Sequence, residues 1–353
     1  MSNKLRVAVI GCGGMGNVHL STYVQMPDQV EIVAVCDIIP EKAQAYAEKF
    51  GVSRVVLDYN ELVNDPTIDA INITTPNYLH SIIAEAALLA GKHVFCEKPD
   101  AISVAEAARM KEAAEKSGKT LMVMRNNRYY HGSQYLKQFI NEGNMGEIYA
   151  ARCGWQRRRG IPGKGGWFTT KEQSGGGPLI DLGVHMIDLA LWLMGNPRPV
   201  AVSGCAYTKF AEDTTEADSE HAKFGEAKED GTFDVEDLAM GFIRFDNGAC
   251  LQIEFSWASN IKEEQRFVEL RGTKSGATWR NEKVEIYGEA SGVLFNHEPI
   301  LSGINGHGAN IRHFVDVVTK GTQPDFVPLQ GYHMIQILEA IYKSAELGHE
   351  IQL

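Results

Sequence analysis

Over the first 125 residues, short runs of apolar side chains alternate with stretches of helical period. The runs predict strands at 5–10, 30–36, 54–57, 69–73, 93–96 and 120–124, and the stretches between them predict helices at 14–26, 40–50, 59–64, 77–90 and 103–117. Strands that are apolar throughout, rather than on alternate positions, are covered on both faces, and helices between them act as crossovers. The pattern therefore predicts a doubly wound, parallel α/β domain over 1–125. Beyond 125 the texture changes. A helix at 133–142 leads to a strand at 147–157, a Gly-rich loop and a helix at 178–194. Strand-like runs follow at 199–208, 237–245, 249–258, 265–272 and 276–287, and the chain ends in a helix at 334–347. "FDNGA" at 245–249 is a hairpin signal. Strands with few helices between them predict an antiparallel sheet and an α+β second domain over 126–353.

Composition refines this picture. A chain of 353 residues with 44% hydrophobic and 22% charged residues suits two ordinary globular domains. The net charge of −11 argues against a sequence-independent grip on nucleic acid. Residues 211–231 hold eight acids and two lysines, and they read as a solvated, mobile loop. Cysteines at 12, 36, 96, 153, 205 and 250 form no CxxC pair, which predicts free thiols in a reducing compartment rather than disulfides or a zinc site. The opening residues lack a secretory h-region, and no apolar run reaches the roughly 18–20 residues that span a bilayer. The expectation is a cytoplasmic protein with no membrane partner.

The first strand runs into Gly11-Cys12-Gly13-Gly14-Met15-Gly16, a G-x-G-x-x-G that opens a helix. Gly11 permits the tight turn, Gly13 lets backbone approach a pyrophosphate, and Gly16 lets the helix pack on the strand. The helix N-terminus, with Gly14 and Met15, offers free N–H groups to the anion. Asp37 closes the second strand, 21 positions after Gly16, where a carboxylate binds both ribose hydroxyls and repels a 2′-phosphate. That favours NAD over NADP. Three further stretches carry candidate chemistry. In "TTPNYLH" (74–80), Thr74, Thr75, Pro76, Asn77 and His80 follow a strand at the ligand edge of the sheet and are expected to face the cofactor. In "CEKP" (96–99), Lys98 is poorly solvated and able to give up a proton or donate to a substrate hydroxyl, with Glu97 on the cofactor side and Pro99 fixing the turn. In "SGGGPLIDLGVHMIDLALWLMG" (174–195), Asp181 and His185 are spaced i, i+4 among apolar neighbours, the pattern of a proton-handling pair. Asp188 lies seven residues after Asp181 and could share its face. No cluster has metal-ligand spacing.

These stretches, with "NNRYY" (126–130), "VEDLAMGFIRFDNGA" (235–249) and "LEAIYKSAELGHEIQL" (338–353), together resemble the Gfo/Idh/MocA family over essentially the whole chain. The resemblance implies a Rossmann domain followed by a domain with a large open sheet that forms the subunit interface of a homodimer or homotetramer. It implies an NAD(P)-dependent dehydrogenase acting on a sugar or polyol, with Lys98, Asp181 and His185 as its catalytic set. Asn126 and Arg128 match a motif that lies near the nicotinamide or supports the site, and Trp167 falls where the family places a cofactor or substrate contact.

In that reading His185 takes the hydroxyl proton as hydride leaves, and Lys98 polarises the developing carbonyl. Arg157, Arg158 and Arg159 precede a Gly-rich loop and are candidates to grip an anionic sugar, while Trp155 and Trp167 offer faces to a pyranose. A neutral sugar, glycoside or inositol stands beside a sugar acid as substrate. Two alternatives remain: a glycoside-cleaving enzyme that uses NAD transiently, and a non-catalytic sugar sensor, against which the retained Lys98, Asp181 and His185 argue.

Overall fold

The structure is a computed structural model that describes residues 4–211 and 224–353. It divides into two compact units, the first comprising 1–126 and 305–332 and the second 127–304 and 333–353. The chain leaves the first unit at 126, beside the boundary expected near 125, and residues 305–332, expected in the second domain, belong to the first unit.

The first unit alternates β1 (Leu5–Ile10), α1 (Gly14–Tyr23), β2 (Val30–Cys36), α2 (Pro40–Phe50), β3 (Val55–Val56), α3 (Tyr59–Val63), β4 (Ala70–Ile73), α4 (His80–Leu89), β5 (His93–Cys96), α5 (Val104–Ser117) and β6 (Leu121–Val123). The strands pair in the order β3-β2-β1-β4-β5-β6, all parallel. This is the doubly wound order whose chain reversal, between β1 and β4, opens a ligand crevice at the carboxyl ends of the strands. The central strands are buried except at Arg6 in β1 and His93 in β5, as both-face coverage requires. A helix that the periodicity did not reveal, α10 (Gly306–Lys320), also belongs here. Gly306 and Gly308 in its first turn lower its propensity and hide it. Asn305 nevertheless caps it by accepting from the Gly308 N–H at 3.2 Å.

The second unit holds a nine-stranded sheet. Its strands are β7 (Ile148–Gln156), β8 (Pro199–Tyr207), β9 (Leu238–Phe245), β10 (Cys250–Ser256), β11 (Gln265–Gly272), β12 (Ser275–Arg280), β13 (Lys283–Ala290), β14 (Val293–His297) and β15 (Ile351–Gln352). They run in the order β14-β13-β12-β11-β7-β10-β9-β8-β15. The sheet is antiparallel except where β7 and β10 run parallel, so it is mixed. The run at 276–287 is two strands, with Asn281 and Glu282 at positive φ turning the chain between them. "FDNGA" turns β9 into β10 through Gly248 at φ +84°, a turn closed by a left-handed glycine.

His131–Asn141 forms α6, and Lys171–Ser174 is a short α7. The stretch expected as one helix over 178–194 is two, α8 (Pro178–Asp181) and α9 (Gly183–Leu193), and the chain bends by 50° at this break. The last helix, α11, spans Pro328–Leu347. Most of the acidic stretch 211–231 lies outside the described residues. Its end, 224–231, is not the free loop expected: the Lys228 N–H donates to the Lys164 carbonyl at 2.9 Å, and Phe224 meets Phe168 edge-on at 5.7 Å. All six cysteines are free thiols, four of them buried. Among the described residues no single helix is long and apolar enough to cross a membrane.

Candidate active site

At the β1–β4 reversal the glycine turn is built as its residue types require. Gly11 has φ +104°, and a Cβ there would lie 2.6 Å from the Thr74 carbonyl. A Cβ on Gly16 would lie 2.2 Å from the Gly11 carbonyl oxygen, so α1 sits on the strand as closely as only glycine allows. A Cβ on Gly13 would meet no described heavy atom within 4 Å. Gly13 and Gly14 are exposed at the N-terminus of α1, where free N–H groups await an anion. Met15, the next residue, is half-buried.

Asp37 does two local jobs. Its carboxylate accepts from the Cys12 N–H at 2.8 Å and from the Ile39 N–H at 2.9 Å, tying the end of β2 to the glycine turn. The segment after β4 is corrected in part. The Thr74 hydroxyl does not face outward but donates to the Gly11 carbonyl at 2.7 Å. Asn77 is buried in a short 3-10 turn that begins just after Pro76. His80 is fully buried, its ring nitrogens 2.8 Å from the Pro99 carbonyl and 2.9 Å from the Thr75 carbonyl. Burial pulls its pKa below the ordinary value against the opposing pull of those carbonyls. His80 thus staples this segment to the Lys98 turn instead of facing a cofactor. By contrast, the Thr75 hydroxyl and the Asn126 side-chain oxygen are buried with no hydrogen-bond partner among the described residues.

The "CEKP" turn ends β5 with a cis Lys98–Pro99 bond. Lys98 is half-buried. Glu97 departs from expectation. Its carboxylate turns into the unit, where Oε1 lies 2.8 Å from His19 Nε2 and Oε2 accepts from the Lys98 N–H at 3.2 Å. Burial alone would push this carboxyl up, but the His19 bond and neighbouring positive charge bring it down to about 2.

In the second unit, every residue from Gly176 to Leu193 is buried except Asp181 and His185, which are half-exposed. The i, i+4 spacing therefore gives the two a common exposure despite the break at Leu182. Asp181 Oδ2 accepts from Trp257 Nε1 at 3.0 Å, and the His185 ring lies 5.9 Å from Trp155. The short helix ending at Asp181 is held at its start by Glu236, which accepts from the Gly177 and Leu179 N–H groups at 2.9 and 3.0 Å and from the Tyr342 hydroxyl at 2.9 Å. A Cβ on Gly177 would lie 2.0 Å from the Glu236 carbonyl oxygen, and one on Gly176 2.0 Å from the Tyr342 hydroxyl. The glycine run is thus a consequence of this clamp. Glu236 and Trp257 were not singled out from sequence, since nothing local marks residues whose work lies 57 and 76 positions away.

The basic residues sort differently from expectation. Arg128 is fully buried, its guanidinium bidentate on Asp188 at 2.8 and 2.6 Å. It holds α9 in place rather than presenting itself to substrate, and Asp188 points to this pair. Arg159 hydrogen-bonds Ser259 and Asn260 and lies over Phe210, which removes it from an anion-gripping cluster. Arg157 is buried 5.1 Å over Trp155. Burial lowers its pKa, opposed by the charges of Asp181 and Glu264. Trp167 is half-buried and stacks on Phe168 at 3.8 Å.

The residues present fit a dinucleotide: a glycine turn with open space at Gly13, an exposed helix N-terminus, a carboxylate at the end of β2 and an orphaned hydroxyl at Thr75. Comparisons with known proteins agree. A family model described as "Oxidoreductase family, NAD-binding Rossmann fold" matches residues 5–125, and one described as "GFO/IDH/MocA C-terminal domain" matches 133–278. D-glucoside 3-dehydrogenase of Escherichia coli K12 is 36% identical over 100% of this chain and 98% of its own. Levoglucosan dehydrogenase of Pseudarthrobacter phenanthrenivorans is 32% identical over 79% of this chain and 74% of its own. A solved structure of levoglucosan dehydrogenase in complex with NADH and levoglucosan superposes with a TM-score of 0.87 at 25% identity, covering 99% of each chain.

Proposed function

The chain belongs to the GFO/IDH/MocA oxidoreductase family, with an NAD-binding Rossmann fold, and from that premise we propose that it oxidises a secondary hydroxyl of a neutral sugar, glycoside or inositol. Bound NAD supplies the hydride acceptor. Gly13, Gly14, Met15 and the α1 N-terminus would hold its pyrophosphate, Asp37 its ribose, and Thr75 and Asn126 its remaining polar groups. Full-length similarity to a D-glucoside 3-dehydrogenase makes a glucoside, and its C3 hydroxyl, the first substrate to try.

The proton is this chain's responsibility. In our reading His185 takes it from the hydroxyl as the carbonyl forms, with Asp181 held by the Trp257 N–H to orient substrate or ring. Lys98 donates to the developing carbonyl oxygen and relays the proton. The observation that carries the reading is the exposure of Asp181 and His185 alone in an otherwise buried helical stretch. A polar pair kept at the surface of an apolar stretch is placed for contact with something outside it. Arg157 has its charge opposed by Asp181 and Glu264, which supports a neutral substrate over a sugar acid.

The test is a panel of glucosides, free sugars, inositols and uronates, read by formation of reduced cofactor and, in parallel, by release of aglycone. Lys98→Ala is expected to cut turnover by about 10²-fold or more while NAD affinity stays nearly unchanged. Equal turnover in the variant removes Lys98 from the chemistry. Aglycone release without net reduced cofactor would select the oxidation-elimination route instead.

The sheet face opposite α9 carries half-buried Met240 and Phe242 beside Gln252 and the Arg152–Glu269 ion pair. We assign to this face the self-association expected of a homodimer or homotetramer. Phe242→Glu should lower the mass measured by light scattering, and an unchanged mass would move the interface elsewhere.

A further inference from the structure

Asp181 ends α8, and α8 is a single turn of four residues, Pro178–Asp181. A helix this short has no stability of its own in water. The place of Asp181 is therefore set by whatever holds the turn from outside. Two adjacent residues, Glu236 and Asp237, reach it by separate routes.

The first route runs through backbone. Glu236 is 6% exposed. Its Oε2 accepts from the Gly177 N–H at 2.9 Å, and its Oε1 accepts from the Leu179 N–H at 3.0 Å and from the Tyr342 hydroxyl at 2.9 Å. The Gly177 carbonyl in turn accepts from the Asp181 N–H at 3.0 Å. One residue thus links the Glu236 carboxylate to the backbone of Asp181. The second route ends on the side chain. The Asp237 carbonyl accepts from the Trp257 backbone N–H at 2.9 Å. The Trp257 indole, wholly inaccessible, donates from Nε1 to Asp181 Oδ2 at 3.0 Å. Backbone and carboxylate of Asp181 are both fixed from the same dipeptide.

The chemistry of the first route is selective. Three donors converge on Glu236, and an ionised carboxylate offers acceptors only. An amide of the same shape cannot replace it. Its NH2 group would have to face the Gly177 N–H or the Leu179 N–H, a donor against a donor.

We propose that Glu236 is a positioning residue for the reaction: by gripping the start of α8 it fixes where the Asp181 carboxylate stands, and so sets turnover. This inference rests on the reading of Asp181 as a member of the catalytic set. A merely structural Glu236 would lower turnover by the same factor whatever stands at position 181. A positioning Glu236 acts through the Asp181 carboxylate and has little left to do once that group is gone.

The experiment measures kcat and KM of the full chain, per folded protein and with the best substrate of the panel, for Glu236→Gln, Asp181→Ala and the double variant. Glu236→Gln should lower kcat by about tenfold or more. In the Asp181→Ala background the same change should cost less than about twofold. Equal factors in the two backgrounds overturn the proposal. The indole ¹H–¹⁵N resonance of Trp257, assigned by its loss in Trp257→Phe, reads the place of Asp181 without substrate. In Glu236→Gln it should move in the direction it takes in Asp181→Ala, and an unmoved resonance overturns the proposal. Where Glu236→Gln does not fold, Tyr342→Phe takes its place, removing one donor and keeping both backbone bonds. Its turnover should fall about threefold and the indole should move. Neither change, or equal losses in both backgrounds, overturns the proposal. Full turnover in Asp181→Ala refutes the reading of Asp181, whereas lost turnover there with equal factors in the two backgrounds refutes only that of Glu236.

Discussion

The Arg128–Asp188 pair offers a direct contest between a binding role and a structural one. The motif that holds Arg128 lies near the nicotinamide or supports the site, which makes Arg128 a candidate substrate contact or a support; its side chain is fully inaccessible and engages Asp188 through two hydrogen bonds of 2.8 and 2.6 Å. Asp188 is itself 4% exposed. Removing one member of such a pair leaves the other charged and buried, at a cost of about 3–5 kcal/mol. For a folding unit of this size, each kcal/mol moves Tm by roughly 2–4 °C, so Asp188→Ala should lower the melting temperature of the second unit by about 6–20 °C. Replacing both partners with apolar residues of similar volume, Arg128→Met with Asp188→Leu, removes the stranded charge. Most of the loss should then be recovered, because the pair's own net contribution is small once desolvation is counted. The assay is thermal unfolding followed by tryptophan fluorescence, for which Trp192, 5.8 Å from the Arg128 guanidinium, is a local reporter. If Asp188→Ala melts within about 2 °C of the parent while KM rises, Arg128 is a substrate ligand and the structural assignment is wrong.

Two further outcomes bear on the cofactor side and one on acid stability. Gly13→Ala adds a methyl group where the structure has open space, so it should fold and melt like the parent. Its NAD affinity by calorimetric titration should nevertheless fall by about tenfold or more, because the methyl occupies the approach to the pyrophosphate. Asp37→Ala should weaken NAD and narrow the preference over NADP by roughly tenfold, and an unchanged NAD/NADP ratio would reduce Asp37 to its bonds with Cys12 and Ile39. Glu97 has a folded pKa of about 2, below its unfolded value of about 4.3. Its contribution to stability is therefore complete above that unfolded value and is lost as pH falls toward 2. Glu97→Gln should flatten the acid limb of the stability curve in that window, and parallel limbs for the two proteins would place the acid-sensitive group elsewhere.

What could be read in advance follows the physics of each signal. The parallel sheet was legible because a strand covered on both faces must be apolar throughout, and the glycine turn because only glycine tolerates φ +104° at Gly11 and the 2.2 Å approach at Gly16. Local signals failed where the determinant was distant. The capping of α10 runs through Asn305, but two glycines in its first turn mask the helical period. The outward-facing reading of Thr74, His80 and Glu97 assumed that a polar side chain at the ligand edge of a sheet points at the ligand. The structure instead spends all three on holding the turns that carry Gly11 and Lys98.

Arg128 and Asp188 show the same limit from the other side. A spacing of seven placed Asp188 with Asp181, but the buried arginine sixty residues earlier claims it. Spacing along one helix cannot register a partner from another element. Asp181 and His185 differ from Asp188 in being half-exposed, and the cause is physical. An apolar stretch buried on nearly all its positions has no cheap place for a carboxylate or an imidazole. Both are half-exposed, Asp181 on the Trp257 N–H and His185 beside Trp155. The break at Leu182 divides the stretch expected as one helix into α8 and α9, yet both residues stay half-exposed among buried neighbours, because each short helix is buried on its other positions.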